Sequence, residues 1–125
     1  MQNQPRIIPI YTSRGALGGF LAFPYIFDPA GEWIGWVAKD RKVYSVHGHY
    51  VGTMTNDPRI LRPREWGHDD PMRQSPAPPD RIRVPPTVPL ARQLPELPLN
   101  MIDVLEDAPE LMPPVDFGEL REDMD

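Results

Sequence analysis

Apolar and polar residues alternate with a period of two from Ile8 to about Leu61, and the alternation is broken at regular intervals by short turns that end in glycine. Short apolar runs at Ile8–Thr12, Tyr25–Asp28 and Val43–Val46 each lead into a turn, Ser-Arg-Gly, Asp-Pro-Ala-Gly or Val-His-Gly. Second runs come next at Ala16–Phe23, Glu32–Ala38 and His49–Thr55. Glycine accepts the positive φ of a tight turn, and Asp or Ser bonds nearby backbone N–H groups, so each unit is predicted to be a β-hairpin.

The three units share one pattern: aliphatic, aromatic, small polar, two variable residues, Gly, any residue, large apolar, any residue, Gly. The paired glycines are Gly15/Gly19, Gly31/Gly35 and Gly48/Gly52, in steps of 16 and 17 residues. Tyr11, Phe27 and Tyr44 hold the aromatic slot; Leu17, Trp33 and Tyr50 hold the apolar slot between the glycines. Repetition of this kind sets an architecture before any single motif does. Strict alternation puts Leu17, Gly19 and Leu21 on one face, with Trp33, Gly35 and Val37, and Tyr50, Gly52 and Met54, in the same register. The other face carries Phe20, Ile34, Trp36 and Val51. Both faces are apolar, which predicts strands covered on two sides. A mid-strand glycine weakens a strand by roughly 0.5–1 kcal/mol relative to alanine, so Gly19, Gly35 and Gly52 are expected to answer a steric demand. A fourth unit begins at Ile60-Leu61, lacks its turn glycine, and places Trp66 early. Its partner strand is expected to be Ile7-Ile8, which would remove exposed edges.

Composition changes after residue 58. Of 18 prolines, four precede Pro58, and residues 71–98 hold nine in 28 positions. That density excludes helix interiors and sheet ladders and leaves extended chain. Asn100 is expected to cap a short helix over Met101–Asp107 that Pro109 ends. The segments are therefore a lead-in at 1–6, hairpin repeats at 7–67, a Pro-rich extended linker at 68–98, a short helix within 99–112 and an acidic tail at 113–125. Residues 1–95 carry twelve Lys/Arg against eight Asp/Glu, and residues 96–125 carry one against ten, which together give the net charge of −5. There is no cysteine to form a disulfide or a thiolate metal site. No apolar run is long enough to span a membrane and the first ten residues do not read as a secretory signal, so a cytoplasmic protein without membrane insertion is expected.

The motifs Tyr25-Ile26-Phe27-Asp28-Pro29-Ala30-Gly31-Glu32-Trp33-Ile34-Gly35-Trp36-Val37 and Val43-Tyr44-Ser45-Val46-His47-Gly48-His49-Tyr50-Val51-Gly52 resemble the bacterial four-fold β-flower domain. The resemblance covers roughly residues 7–67. It implies an all-β fold, a small closed assembly of about four β-hairpins with pseudo-four-fold symmetry, followed by an extended Pro-rich tail. It carries no activity with it.

Chemistry is sparse. His47 and His49 are two apart, but no third ligand accompanies them, and His68 beside Asp69 and Asp70 lies in a loop. Gly15 to Gly19 precedes no helix and no Lys-Ser/Thr pair, so it is not a phosphate loop. Neither an enzyme nor a cofactor or metal site is expected. Seven arginines from Arg59 to Arg92 make the middle basic, yet Asp57, Glu65, Asp69, Asp70 and Asp80 dilute them, which argues against nucleic acid. The expected function is non-enzymatic: a protein interaction or assembly module, self-association included, with the tail docking on a partner. Val84, Val88, Leu94, Leu97, Met101, Ile102 and Leu105 are the candidate partner-binding residues. The alternative is a ligand-binding module that stacks single-stranded nucleic acid or glycan on Trp33, Trp36 and Tyr50.

Overall fold

A computed structural model describes residues 6–65 and 70–114. It shows one antiparallel sheet whose eight strands pair in chain order: β1 (Ile8–Tyr11), β2 (Leu17–Ala22), β3 (Tyr25–Phe27), β4 (Trp33–Val37), β5 (Lys42–Ser45), β6 (Tyr50–Met54), β7 (Ile60–Pro63) and β8 (Met101–Asp103). After β8 come a four-residue helix, α1 (Val104–Asp107), and a 3₁₀ turn at Pro109–Leu111.

The three predicted hairpins are β1–β2, β3–β4 and β5–β6, and their turns are built alike. In each, the N–H of Thr12, Asp28 or Ser45 donates to the carbonyl four residues on, and the N–H of Gly15, Gly31 or Gly48 donates back. The side-chain oxygen of the same Thr, Asp or Ser accepts further N–H groups of its turn, the short-range bonding that such residues favour.

Each hairpin also contains a bulge at one register. Ile10 faces Gly19 but Tyr11 faces Leu17; Ile26 faces Gly35 but Phe27 faces Trp33; Val43 faces Gly52 but Tyr44 faces Tyr50. Gly18, Ile34 and Val51 are the extra residues. One inserted residue reverses the parity of everything beyond it, and this corrects the expected faces. Trp33 and Tyr50 do not share a side with Val37 and Met54. Leu17, Phe20, Trp33, Trp36, Tyr44 and Tyr50 gather in an aromatic cluster, whereas Ile34, Val37, Val51 and Met54 join Ile10, Ile26, Val43 and Ile60 in an aliphatic one. Because residues from β1 and β7 meet in that aliphatic cluster, the sheet is curled around it.

The mid-strand glycines answer the predicted steric demand. A Cβ at Gly35 would lie 2.5 Å from the Tyr44 carbonyl oxygen, and one at Gly52 would lie 2.7 Å from that of Leu61; Gly19 meets the Phe27 carbonyl in the same way. The crowding atom is each time the backbone oxygen of the next unit's aromatic or apolar slot.

The fourth hairpin is completed differently from the expectation. Among the described residues β1 pairs with β2 alone, and β7 takes β8 as its partner, with Leu61 opposite Asp103 and Pro63 opposite Met101. The chain therefore forms a strand at Met101–Asp103 where a helix was expected, because the edge of β7 needs a ladder partner before the backbone can turn; the helix keeps only Val104–Asp107. The segment beyond β8 then packs Val104, Leu105, Leu111 and Met112 against the aliphatic cluster. Leu105 lies where a Cβ on Gly18 would point, so it occupies the place that Ile34 and Val51 fill in the other units. The predicted boundary at residue 67 is not a domain boundary, since the last strand of the hairpin sheet is Met101–Asp103. Trp66, His68, Asp69 and the acidic residues 115–125 lie outside the described residues.

Candidate functional site

The aromatic side of the sheet is not open. Trp36 and Tyr44 stack with ring centroids 4.8 Å apart, Tyr25 meets Trp33 edge-on at 6.1 Å, and Trp33 Nε1 donates to the Gly35 carbonyl at 2.7 Å. Over them runs the Pro-rich segment, which makes neither helix nor ladder between residues 71 and 98. Its burial recurs every third residue: positions 73, 76, 79 and onward to 97 are each half-buried, and between them only Ser75 and Val84 are covered to a similar degree. Ile82, Val84 and Val88 pack into the aromatic cluster.

Polar contacts fix the register of this strap. It crosses the hairpin turns at nine-residue intervals, with Arg73 at Gly48, Ile82 at Gly31 and Ala91 at Gly15. The Arg73 N–H donates to the Gly48 carbonyl at 3.0 Å and the Ile82 N–H to the Gly31 carbonyl at 3.3 Å. Two of these crossings need glycine twice over: Gly31 has φ +88° and a Cβ there would lie 2.7 Å from the Ile82 carbonyl oxygen, and Gly48 has φ +90° with its Cβ position against the Arg73 carbonyl; at Gly15 the positive φ alone asks for glycine. Side chains add to the seam. Tyr11 Oη donates to the Pro89 carbonyl, Tyr25 Oη to that of Ala77 at 2.8 Å, and Trp36 Nε1 to Ser75 Oγ, which donates in turn to the Val46 carbonyl. Arg73 lies 5.0 Å over the Tyr44 ring and bonds Asp40 at 2.8 Å. The Arg73 hydrogen bond holds the Asp40 carboxyl below its ordinary range.

The sequence-derived partner residues are thus engaged within the chain. Val84 and Val88 face the aromatics, Met101 and Ile102 lie in β8, Leu105 packs on the aliphatic cluster, and Leu94 and Leu97 sit on the half-buried ridge of the strap. Large apolar side chains that do stand out are Met72, Leu90 and Leu99 on the strap and Phe23 in the β2–β3 turn. His47 and His49 are exposed at the third hairpin tip, and among the described residues no group of three His, Asp or Glu is placed to hold a metal. No helix of the described residues is long and apolar enough to cross a membrane.

A second feature is a polar latch where the first hairpin meets β8. Ser13 donates both its N–H and its Oγ–H to Asp103 Oδ2 at 2.7 Å, and Arg59 Nη1 donates to Ser13 Oγ at 2.9 Å. Arg59 is also paired with Asp57 at 2.9 Å. Burial raises the pKa of Asp103, and its bonds from Ser13 oppose that shift. Beside it, Arg14 pairs with Glu106 at 3.1 Å.

The strap's three-residue spacing has a signal in the sequence itself. From Pro76 to Leu97 every third residue is Pro or apolar.

No curated protein and no solved structure matches the chain. A family described as "4-fold beta flower protein" matches residues 8–102, a span that takes in the strap and most of β8 as well as the hairpins. The chain belongs to the 4-fold beta flower family.

Proposed function

We propose that the protein is a non-enzymatic interaction and assembly module, with four hairpin units set around a pseudo-four-fold axis and an aromatic side that receives a Pro-rich extended segment. The observation that carries this reading is the three-residue period of burial along the strap. Polyproline II has three residues per turn, so a ridge of every third side chain lies on one side of it. Docking such a ridge on aromatic side chains, with tyrosine and tryptophan donors reaching its carbonyls, is the chemistry by which Pro-rich peptides are recognised. Here the recognised segment belongs to the same chain. The partner class is a protein segment with Pro or apolar residues at every third position, the strap of a second copy included, since an interface made within one chain can be remade between two.

Stacking of a base or sugar is the weaker reading, because Trp33 and Trp36 are each 8% exposed and Tyr44 is buried beneath the strap.

The test uses the full chain with Ile82→Asp and Val88→Asp, which loosens the strap without touching the sheet ladder. A synthetic peptide of residues 70–99 is expected to bind this variant saturably, while a scrambled peptide of equal composition does not. A variant whose sheet amides stay protected and which ignores the peptide would refute the reading.

A further inference from the structure

Away from the strap-covered face, the three turns that join successive hairpins enclose an open cup of about 640 Å³, within the usual range for a small-molecule site. Its floor is aliphatic. Ile8, Leu21, Val37 and Met54 line it, and Val37 and Met54 are themselves members of the buried core. Phe23, 61% exposed, stands in its wall. Among the residues lining the cup the charges are unbalanced: Lys39, Arg41 and Arg92 are opposed by Asp57 alone, and that carboxylate is held by Arg59 at 2.9 Å, while Asp40, of the same turn as Lys39 and Arg41, is not in the lining and is paired with Arg73.

Arg41 makes the imbalance informative. The β4–β5 turn is closed by Ala38 N–H to the Lys42 carbonyl and Arg41 N–H to the Ala38 carbonyl, the same pair of bonds that closes the turns at Gly15, Gly31 and Gly48. Those three turns place glycine at positive φ; this one places Arg41 there, at φ 71°. A left-handed backbone is disfavoured for a residue with a Cβ, so glycine is the better residue for the turn and arginine needs another reason. Its Nε donates to the Met54 carbonyl at 2.8 Å, which fixes the guanidinium at the cup. Its terminal nitrogens make no hydrogen bond among the described residues, and neither Lys39 nor Arg92 is paired there.

We infer that this cup binds a small apolar molecule bearing a carboxylate. The aliphatic floor takes the apolar body, and Arg41, with Lys39 and Arg92 beside it, takes the carboxylate; a planar guanidinium matches that group through two parallel bonds. The floor residues and Arg41 lie outside the aromatic cluster, and of the lining residues only Arg92 is brought to the cup by the strap, so loss of strap docking would leave the floor and Arg41 in place.

Isothermal titration calorimetry of the full chain with octanoate, 1-octanol and acetate tests it. Octanoate is expected to bind at least tenfold more tightly than either of the others and to weaken with added salt. Arg41→Gly suits the turn, so it is expected to keep or raise the melting temperature while lowering octanoate affinity at least tenfold. Phe23→Ala, at an exposed position, is expected to weaken octanoate severalfold. Amide shifts on titration are expected at Val37 and Met54. Octanol binding as well as octanoate, full affinity in Arg41→Gly, shifts confined to other sites, or no saturation below millimolar octanoate would each overturn the inference.

Discussion

Substituting Gly35 by alanine isolates the role assigned to the mid-strand glycines. The new Cβ would sit 2.5 Å from the Tyr44 carbonyl oxygen and would also run into the methyl end of Met112. Met112 is a flexible side chain and can give way; the carbonyl belongs to the strand next in the ladder and cannot retreat without pulling β5 from β4. Forcing an extra methyl into such a space costs about 1–3 kcal/mol, and weakening one ladder bond adds about 1 kcal/mol. The reduced entropy of the unfolded chain offsets roughly 0.4–1 kcal/mol of that. The net is a destabilisation of about 2 kcal/mol, or roughly 8 °C in melting temperature for a chain of this size. Gly18→Ala is the matched control, because its Cβ would meet only side chains, Leu105 at 3.1 Å and Thr12 at 3.3 Å. It is expected to fall within about 1 kcal/mol of the parent, where ordinary surface and boundary changes lie. Urea denaturation of both variants, read by tryptophan fluorescence, measures the difference. Gly35→Ala as stable as the parent, or no less stable than Gly18→Ala, would refute the packing argument.

Three other outcomes rest on the same geometry. Gly31→Ala meets both a left-handed backbone and the Ile82 carbonyl, so hydrogen exchange is expected to speed at the Ile82 amide while the β3–β4 ladder stays protected. Asp40 has its native pKa lowered by Arg73, so its contribution to strap docking is present above the unfolded value of 3.8 and is lost as pH falls through the lowered native one; Asp40→Asn is expected to abolish that acid-range change in Arg73 amide protection. Met112→Ala removes a buried side chain from the aliphatic cluster and is expected to destabilise by about 2–5 kcal/mol in thermal melts, with a smaller loss pointing to collapse of the site around Leu111 and Leu105.

Much of the scaffold was legible because hairpins are local. The turn at Asp28-Pro29-Ala30-Gly31 contains its own bonding partners, and the spacing of Gly19, Gly35 and Gly52 signals a repeated contact whose identity, a neighbouring carbonyl, needs no distant residue to be suspected. The side on which Trp33 lies was not legible: a single bulge at Ile34 reverses it, and nothing in the alternation marks the extra residue. Of the candidate sites, Val84 and Val88 were recognisable as docking residues but not as residues docked on their own chain. The cup left a faint trace, since Ala38–Lys42 has the length of the Gly-containing turns with arginine in the glycine position; its aliphatic floor comes from three hairpins and appears only when they curl together.

The sequence alone determined what depends on neighbours within a few residues: three glycine-closed hairpins, a repeat of 16 to 17 residues, and a proline density that bars the strap from helix and ladder. Tertiary structure decided everything that depends on who meets whom across the chain. It gave β7 a partner about 40 residues further on, from Met101–Asp103, instead of Ile7-Ile8. It laid the strap over Trp36 and Tyr44, and set Leu105 beside Gly18. The physical reason is that local turn geometry is encoded by φ preferences and short-range hydrogen bonds, whereas an apolar face specifies only that it will be covered, and many segments of this chain are apolar enough to cover it.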